Sequence, residues 1–117
     1  MKLPDGRRVF IDIRKLAEYV LNLDHPLGRN KARVFKAVLG ITAEQAGALR
    51  ETIIVGVRDG QWIWTRSDEF GDRFYIDCPV STVRGSAIVR TAWIVRTGED
   101  FPRLTTCYVL SGKRENS

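Results

Sequence analysis

The chain has one histidine and two cysteines among its 117 residues. Each scarcity removes options. There is no CxxC, no His–Cys cluster and no HExxH, so neither a zinc site nor any other metal or cofactor is called for. Cys78 and Cys107 sit in apolar, strand-like runs, and the expectation is free buried thiols. No apolar run approaches the roughly 20 residues that span a bilayer. The opening "MKLPDGRRVF" lacks the apolar centre of a signal peptide. These absences predict a cytoplasmic protein with no membrane association. Repeats and low-complexity tracts are missing too, and the length suits one domain, placed at 1–112, with 113–117 as a disordered tail.

What is present is a basic excess, a formal net charge of +5. Arginine outnumbers lysine, which favours bidentate contacts to phosphate or carboxylate. RNA is the partner that such a charge fits, although a solvated basic surface accounts for it equally well.

Hydrophobic spacing changes period along the chain. Asp12 is an N-cap for a helix over 13–22, with Leu16, Tyr19, Val20 and Leu23 as its apolar stripe. The helix must stop at Asp24-His25-Pro26, because a residue before proline disfavours the helical region. A second helix follows over 30–39, with Val34, Phe35 and Val38 on one side and Gly40 as its stop. Thr42 with Gln45 forms a capping box for a third, whose stripe is Ala46, Leu49, Ile53, Ile54 and Val57. Beyond Asp59-Gly60, four runs rich in β-branched and aromatic residues alternate: "QWIWT", "DRFYIDCPV", "SAIVRTAWIVRT" and "RLTTCYVL". Short links predict an antiparallel meander. The fold class is therefore α+β, with about three N-terminal helices packed on one face of a four-stranded antiparallel sheet.

Alternation assigns faces. Phe74, Ile76 and Cys78 oppose Arg73, Tyr75 and Asp77; Ala87, Val89, Trp93 and Val95 oppose Ile88, Arg90, Ile94 and Arg96. The outer face thus carries Arg73, Tyr75, Arg90 and Arg96, either as solvated surface or as a platform for a polyanion. The cluster Asp68, Glu69 and Asp72 lacks calcium-loop spacing and reads as a solvated loop.

Two stretches stand out together: "DHPLGRNKARVFKAVLGI" and "TAWIVRTGEDFPRLTTCYVL". Their pattern, HPxGRxKAxxF…LG and then W…G…PRLxTxY, resembles a bacterial family of small domains of unknown function, over about Leu3 to Leu110. More loosely, the order of helices, sheet, lone His and Lys, Trp, Arg and a Thr in the last strand is similar to the barnase–EndoU–colicin–RelE-like ribonucleases. That resemblance implies a metal-independent toxin domain cleaving RNA through its 2′-hydroxyl, paired with a small antitoxin or immunity-like protein.

Such chemistry needs proton transfer and cations around a phosphorane. The candidates are His25 as acid–base, Lys31 and Arg103 on the phosphate, and Thr106 as a hydroxyl donor. Arg29, Arg90, Arg96 and Tyr75 would bind substrate, and Trp93 would stack on a base. Each also has a plainer reading. His25-Pro26 shapes a turn, the imidazole bonded to a backbone carbonyl. Trp93 and Thr106 are core, unless a bulge changes the strand's parity. Arg103 pairs with Glu99 or Asp100. Arg29 and Lys31 open a helix, where positive charge is mildly unfavourable. The alternative to an enzyme is a non-catalytic module that docks a small partner protein or RNA.

Overall fold

The computed structural model describes residues 2–110; the tail expected from residue 113 lies outside the described residues. Helical elements come first and a four-stranded antiparallel sheet follows, the α+β arrangement that the change of period implies.

Helix α1 (Ile13–Lys15) begins where the Asp12 carboxylate accepts the Arg14 N–H at 3.0 Å. It continues as a π-helical segment, Leu16–Val20, closed by Leu21 N–H donating to the Leu16 carbonyl. This wider turn ends the helix two residues before the expected boundary. Leu23 consequently leaves the buried stripe and is 40% exposed, while Leu16 and Val20 are buried. Helix α2 (Arg29–Val34) likewise runs into a π-helical segment, Phe35–Leu39. Gly40 stops it at φ 68°, a left-handed conformation that glycine adopts without strain. A 3-10 turn (Ala43–Gln45) then opens α3 (Ala46–Val57). There the Thr42 N–H donates to Gln45 Oε1 at 2.7 Å, the predicted capping box. Leu49, Ile53 and Val57 of α3 are buried.

The strands are β1 (Ile63–Asp68), β2 (Gly71–Ser81), β3 (Ser86–Arg96) and β4 (Arg103–Val109). They pair in sequence order, so β1 and β4 are the edges. The helices cover the face carrying Phe74, Ile76, Cys78, Val89 and Trp93. Trp93 is 1% exposed and meets the Trp62 ring at 5.4 Å. Its Nε1–H donates to the Thr91 hydroxyl at 2.7 Å, and that hydroxyl donates to the Ile76 carbonyl at 2.7 Å. This satisfies the two polar groups placed in the core.

Two features shape the β4 edge. Phe10 bridges it in parallel: its N–H donates to the Pro102 carbonyl and its carbonyl accepts the Leu104 N–H. Further along, Trp93 pairs with Leu104 but Ala92 pairs with Thr106, so Thr105 is an extra residue and forms a bulge. Leu104 and Cys107 therefore both face the helices. Thr106 is carried onto the outer face beside Ala92, on the same side as Arg90. The Thr105 hydroxyl donates to the Ala92 carbonyl at 3.1 Å.

Candidate functional site

The segment between the first helix and α2 folds back on Tyr19. Gly28 makes this fold-back work. A Cβ there would lie 2.1 Å from the Tyr19 carbonyl oxygen and 2.9 Å from Tyr19 Cδ1. Only glycine allows the loop to approach so closely. His25 tightens the same loop from inside. Its Nδ1 accepts the N–H groups of Leu27 and Gly28, both at 3.0 Å. The plainer reading of a turn-shaping imidazole is thus what the loop contains, with amides rather than a carbonyl as partners. With Nδ1 accepting, the ring is held as the Nε2–H tautomer and presents a donor.

Three side chains converge here. The His25 ring meets the Tyr19 ring edge-on, with centroids 4.9 Å apart. Lys31, from the first turn of α2, donates from Nζ to the Tyr19 hydroxyl at 3.3 Å. Its ammonium also sits 5.4 Å from the centre of the Tyr19 ring. All three residues are half-buried. Tyr19 and His25 line a groove of about 610 Å³ with Glu18, Lys15, Leu27 and Thr105 of β4. A second hollow joins Lys31, Asn30 and Val34 to Tyr108 and Val109 further along β4. The free stretch of the β4 edge is therefore bordered by His25 at one end and Lys31 at the other, with Tyr19 touching both.

Of the four residues expected to do chemistry, His25 and Lys31 come together; Arg103 and Thr106 do not join them. Arg103 forms a bidentate pair with Glu99 (2.9 and 3.0 Å) and lies between the Phe10 and Phe101 rings. The guanidinium holds Glu99 below the usual carboxylate range. Thr106 sits on the outer face, where its Oγ1 is buried and finds no hydrogen-bond partner among the described residues. The bulge that resolves the parity conflict thus sends Thr106 away from the groove and leaves Thr105 on its rim. Trp93 is core and unable to stack on a base.

The outer face is more neutral than its residue list implies. Arg90 forms a bidentate pair with Asp77, its direct cross-strand neighbour, at 2.8 and 2.9 Å, and stacks 3.9 Å from the Tyr75 ring. This pairing raises the arginine further above its ordinary range. Arg73 pairs with Asp68 at 2.8 Å and holds that carboxyl below its usual value. Ile94 is buried on this face between its cross-strand neighbours Arg73 and Arg103, whose aliphatic stems flank it. Arg96 is exposed at the far end of β3. Asp72 accepts from the Ser67 hydroxyl at 2.6 Å and Asp68 from the Phe70 N–H at 2.9 Å, so these carboxylates build the β1–β2 turn.

Uncompensated charge lies elsewhere. Residues 25–43 contain Arg29, Lys31, Arg33 and Lys36 and no carboxylate. The rest of the chain is within one charge of neutral. Arg29, Arg33 and Lys36 are exposed on α2 and its continuation. Arg84 docks beside them, donating from Nε to the Ala37 carbonyl at 3.4 Å.

Sequence reasoning missed Tyr19 as a site residue and Thr105 as the β4 residue that lines the groove with His25. Tyr19 carried one signal: an amphipathic aromatic in an otherwise aliphatic stripe, with a hydroxyl that needs a partner. The bulge left no trace in the alternation.

Comparison with known proteins places the chain in a family. A model described as Domain of unknown function (DUF6883) matches residues 2–111, and the chain belongs to that family. No curated protein and no solved structure matches the chain significantly. Among the described residues, no helix is long and apolar enough to cross a membrane.

Proposed function

We propose that this chain is a metal-independent ribonuclease-like domain that receives the RNA backbone in the groove between the His25 loop and β4. The observation that carries this reading is the Tyr19–His25–Lys31 cluster: Tyr19 and His25 line the groove with a phenol and a ring N–H, and Lys31, which borders the second hollow, brings an ammonium to the Tyr19 hydroxyl. These are the groups that a phosphorane needs when no metal is used. The His25 Nε2–H bonds a non-bridging phosphate oxygen and the Lys31 ammonium balances the growing charge. Glu18, exposed on the same groove, takes the 2′-hydroxyl proton. The 2′-oxygen attacks phosphorus, and the 5′-oxygen leaves with the Tyr19 proton, which Lys31 restores. The products are a 2′,3′-cyclic phosphate and a 5′-hydroxyl end, so the reaction is confined to RNA.

The test is incubation of purified protein with cellular RNA in excess chelator. Cleavage that persists, and that Lys31→Ala and Tyr19→Phe abolish, supports the proposal. Intact RNA, or cleavage that stops with chelator, overturns it. RNA that is bound but left whole identifies the chain as the non-catalytic module.

A further inference from the structure

From the placement of uncompensated charge we infer that single-stranded RNA tracks along the exposed face of α2 and its continuation, held by Arg29, Arg33 and Lys36, with Arg84 at the far end. This deepens the reading above by naming the substrate's path, and it rests on that reading for the identity of the polymer. Spacings of four and three residues put these side chains on one helical face. All three are exposed, and none is among the ion pairs of the described residues. From Arg29 to Lys36 the helix advances about 10 Å.

The path begins at the groove. Arg29 directly follows the Gly28 fold-back, and Lys31 of the same helix turns inward to Tyr19. A strand leaving the groove in that direction meets cations at each turn. The sheet offers a poorer track, because Arg73, Arg90 and Arg103 are each held by a carboxylate. A phosphate arriving there would have to displace a carboxylate, held bidentately at Arg90 and Arg103. The occupant is a single strand because in-line attack requires the 2′-hydroxyl to swing away from stacked A-form geometry, and unstacked segments are where such enzymes gain access.

Salt dependence of binding tests this without any cleavage. The probe is a 2′-O-methyl RNA strand of about a dozen nucleotides, whose blocked 2′-oxygen prevents reaction. Each phosphate contact contributes about −0.7 to the slope of log K against log salt for single strands. Arg29→Ala/Arg33→Ala/Lys36→Ala is therefore expected to flatten the slope by about 2, a loss of about a hundredfold in affinity at 0.1 M salt relative to 1 M. Arg29→Lys/Arg33→Lys keeps the slope. Arg90→Gln/Asp77→Asn, which removes a sheet pair without changing net charge, also keeps it. An unchanged slope in the triple variant, a loss confined to the sheet variant, or absence of binding at low salt overturns the inference. Failure of the cleavage assay with the slope effect intact would remove the catalytic reading and leave the track standing. Circular dichroism confirms that the surface variants remain folded.

Discussion

His25 holds a loop as well as facing a groove, and paired substitutions separate the two roles. In His25→Ala the Leu27 and Gly28 N–H groups both lose their acceptor. Leu27 is 76% exposed, so water replaces the ring there. Gly28 is buried, and its stranded N–H costs about 1–3 kcal/mol. Loss of the edge-on contact with Tyr19 adds about 0.5–1.5 kcal/mol. The expected total is about 1.5–4.5 kcal/mol. His25→Asn places Oδ1 near the position of Nδ1, where it accepts both amides. Only the ring contact is then lost, about 0.5–1.5 kcal/mol. For a chain of this size each kcal/mol moves Tm by about 3–6 °C, so the variants should differ by at least that much. Urea unfolding followed by circular dichroism gives the same ordering with an unchanged m-value. If His25→Asn is as unstable as His25→Ala, or if His25→Ala lies within about 0.5 kcal/mol of wild type, the acceptor role of Nδ1 is wrong. RNA cleavage, by contrast, should fall in both, since neither replacement supplies the Nε2–H.

Thr106→Val should leave stability unchanged or raise it by up to about 1 kcal/mol, because the buried hydroxyl has no partner to lose among the described residues; a loss beyond about 1 kcal/mol in urea unfolding refutes this. Trp93→Ala should destabilise by about 3–5 kcal/mol and cleave no worse per folded molecule, and a stable but inactive variant would return Trp93 to the site. Burial pushes the Cys78 thiol up, and the Cys107 thiol up to about 12. Neither should react with a thiol reagent at pH 8 until denaturant is added, and rapid labelling of the native protein counts against their burial. Since the unfolded Cys107 ionises near 8.5, its contribution to stability is complete below that pH. It declines as pH rises toward about 12, and Cys107→Val should flatten that decline. Asp12, held down to about 2 by the Arg14 side chain and then by the Arg14 N–H, contributes stability above about pH 4. The difference between wild type and Asp12→Asn should vanish as pH falls to about 2, and a difference that persists there contradicts the pairing.

Element order, sheet topology and the inner face were legible because they depend on period alone. Thr42 with Gln45 and the Gly40 stop were legible because capping is local chemistry. The misreadings share a cause. Alternation tells which face a side chain takes but not which side chain lies across from it. Arg90 and Asp77 were both placed on the outer face, yet only the register makes them a neutralised pair. The π-helical segments and the Thr105 bulge each shift phase with no residue type that demands it. Those shifts moved Leu23 out of the core stripe, Thr106 onto the outer face and Thr105 to the groove.

The two stretches HPxGRxKAxxF and PRLxTxY can now be divided by what folding already explains. In HPxGRxKAxxF, His25 Nδ1 caps the loop amides, Gly28 permits contact with the Tyr19 carbonyl, and Ala32 and Phe35 are buried. In PRLxTxY, the Pro102 carbonyl receives Phe10, Arg103 clamps Glu99 and Leu104 is core. Folding explains neither the charge of Lys31 and Arg29 at the start of a helix nor the Thr106 hydroxyl, buried without a hydrogen bond among the described residues. Helix dipole and desolvation both oppose these choices. A positively charged first turn is stabilised once an anion sits against it, and Tyr19 already positions Lys31 for that. The Thr106 hydroxyl has no such anion in reach of the groove. The two anomalies therefore differ: an anion against the helix start relieves the cost at Lys31 and leaves that of Thr106 unchanged.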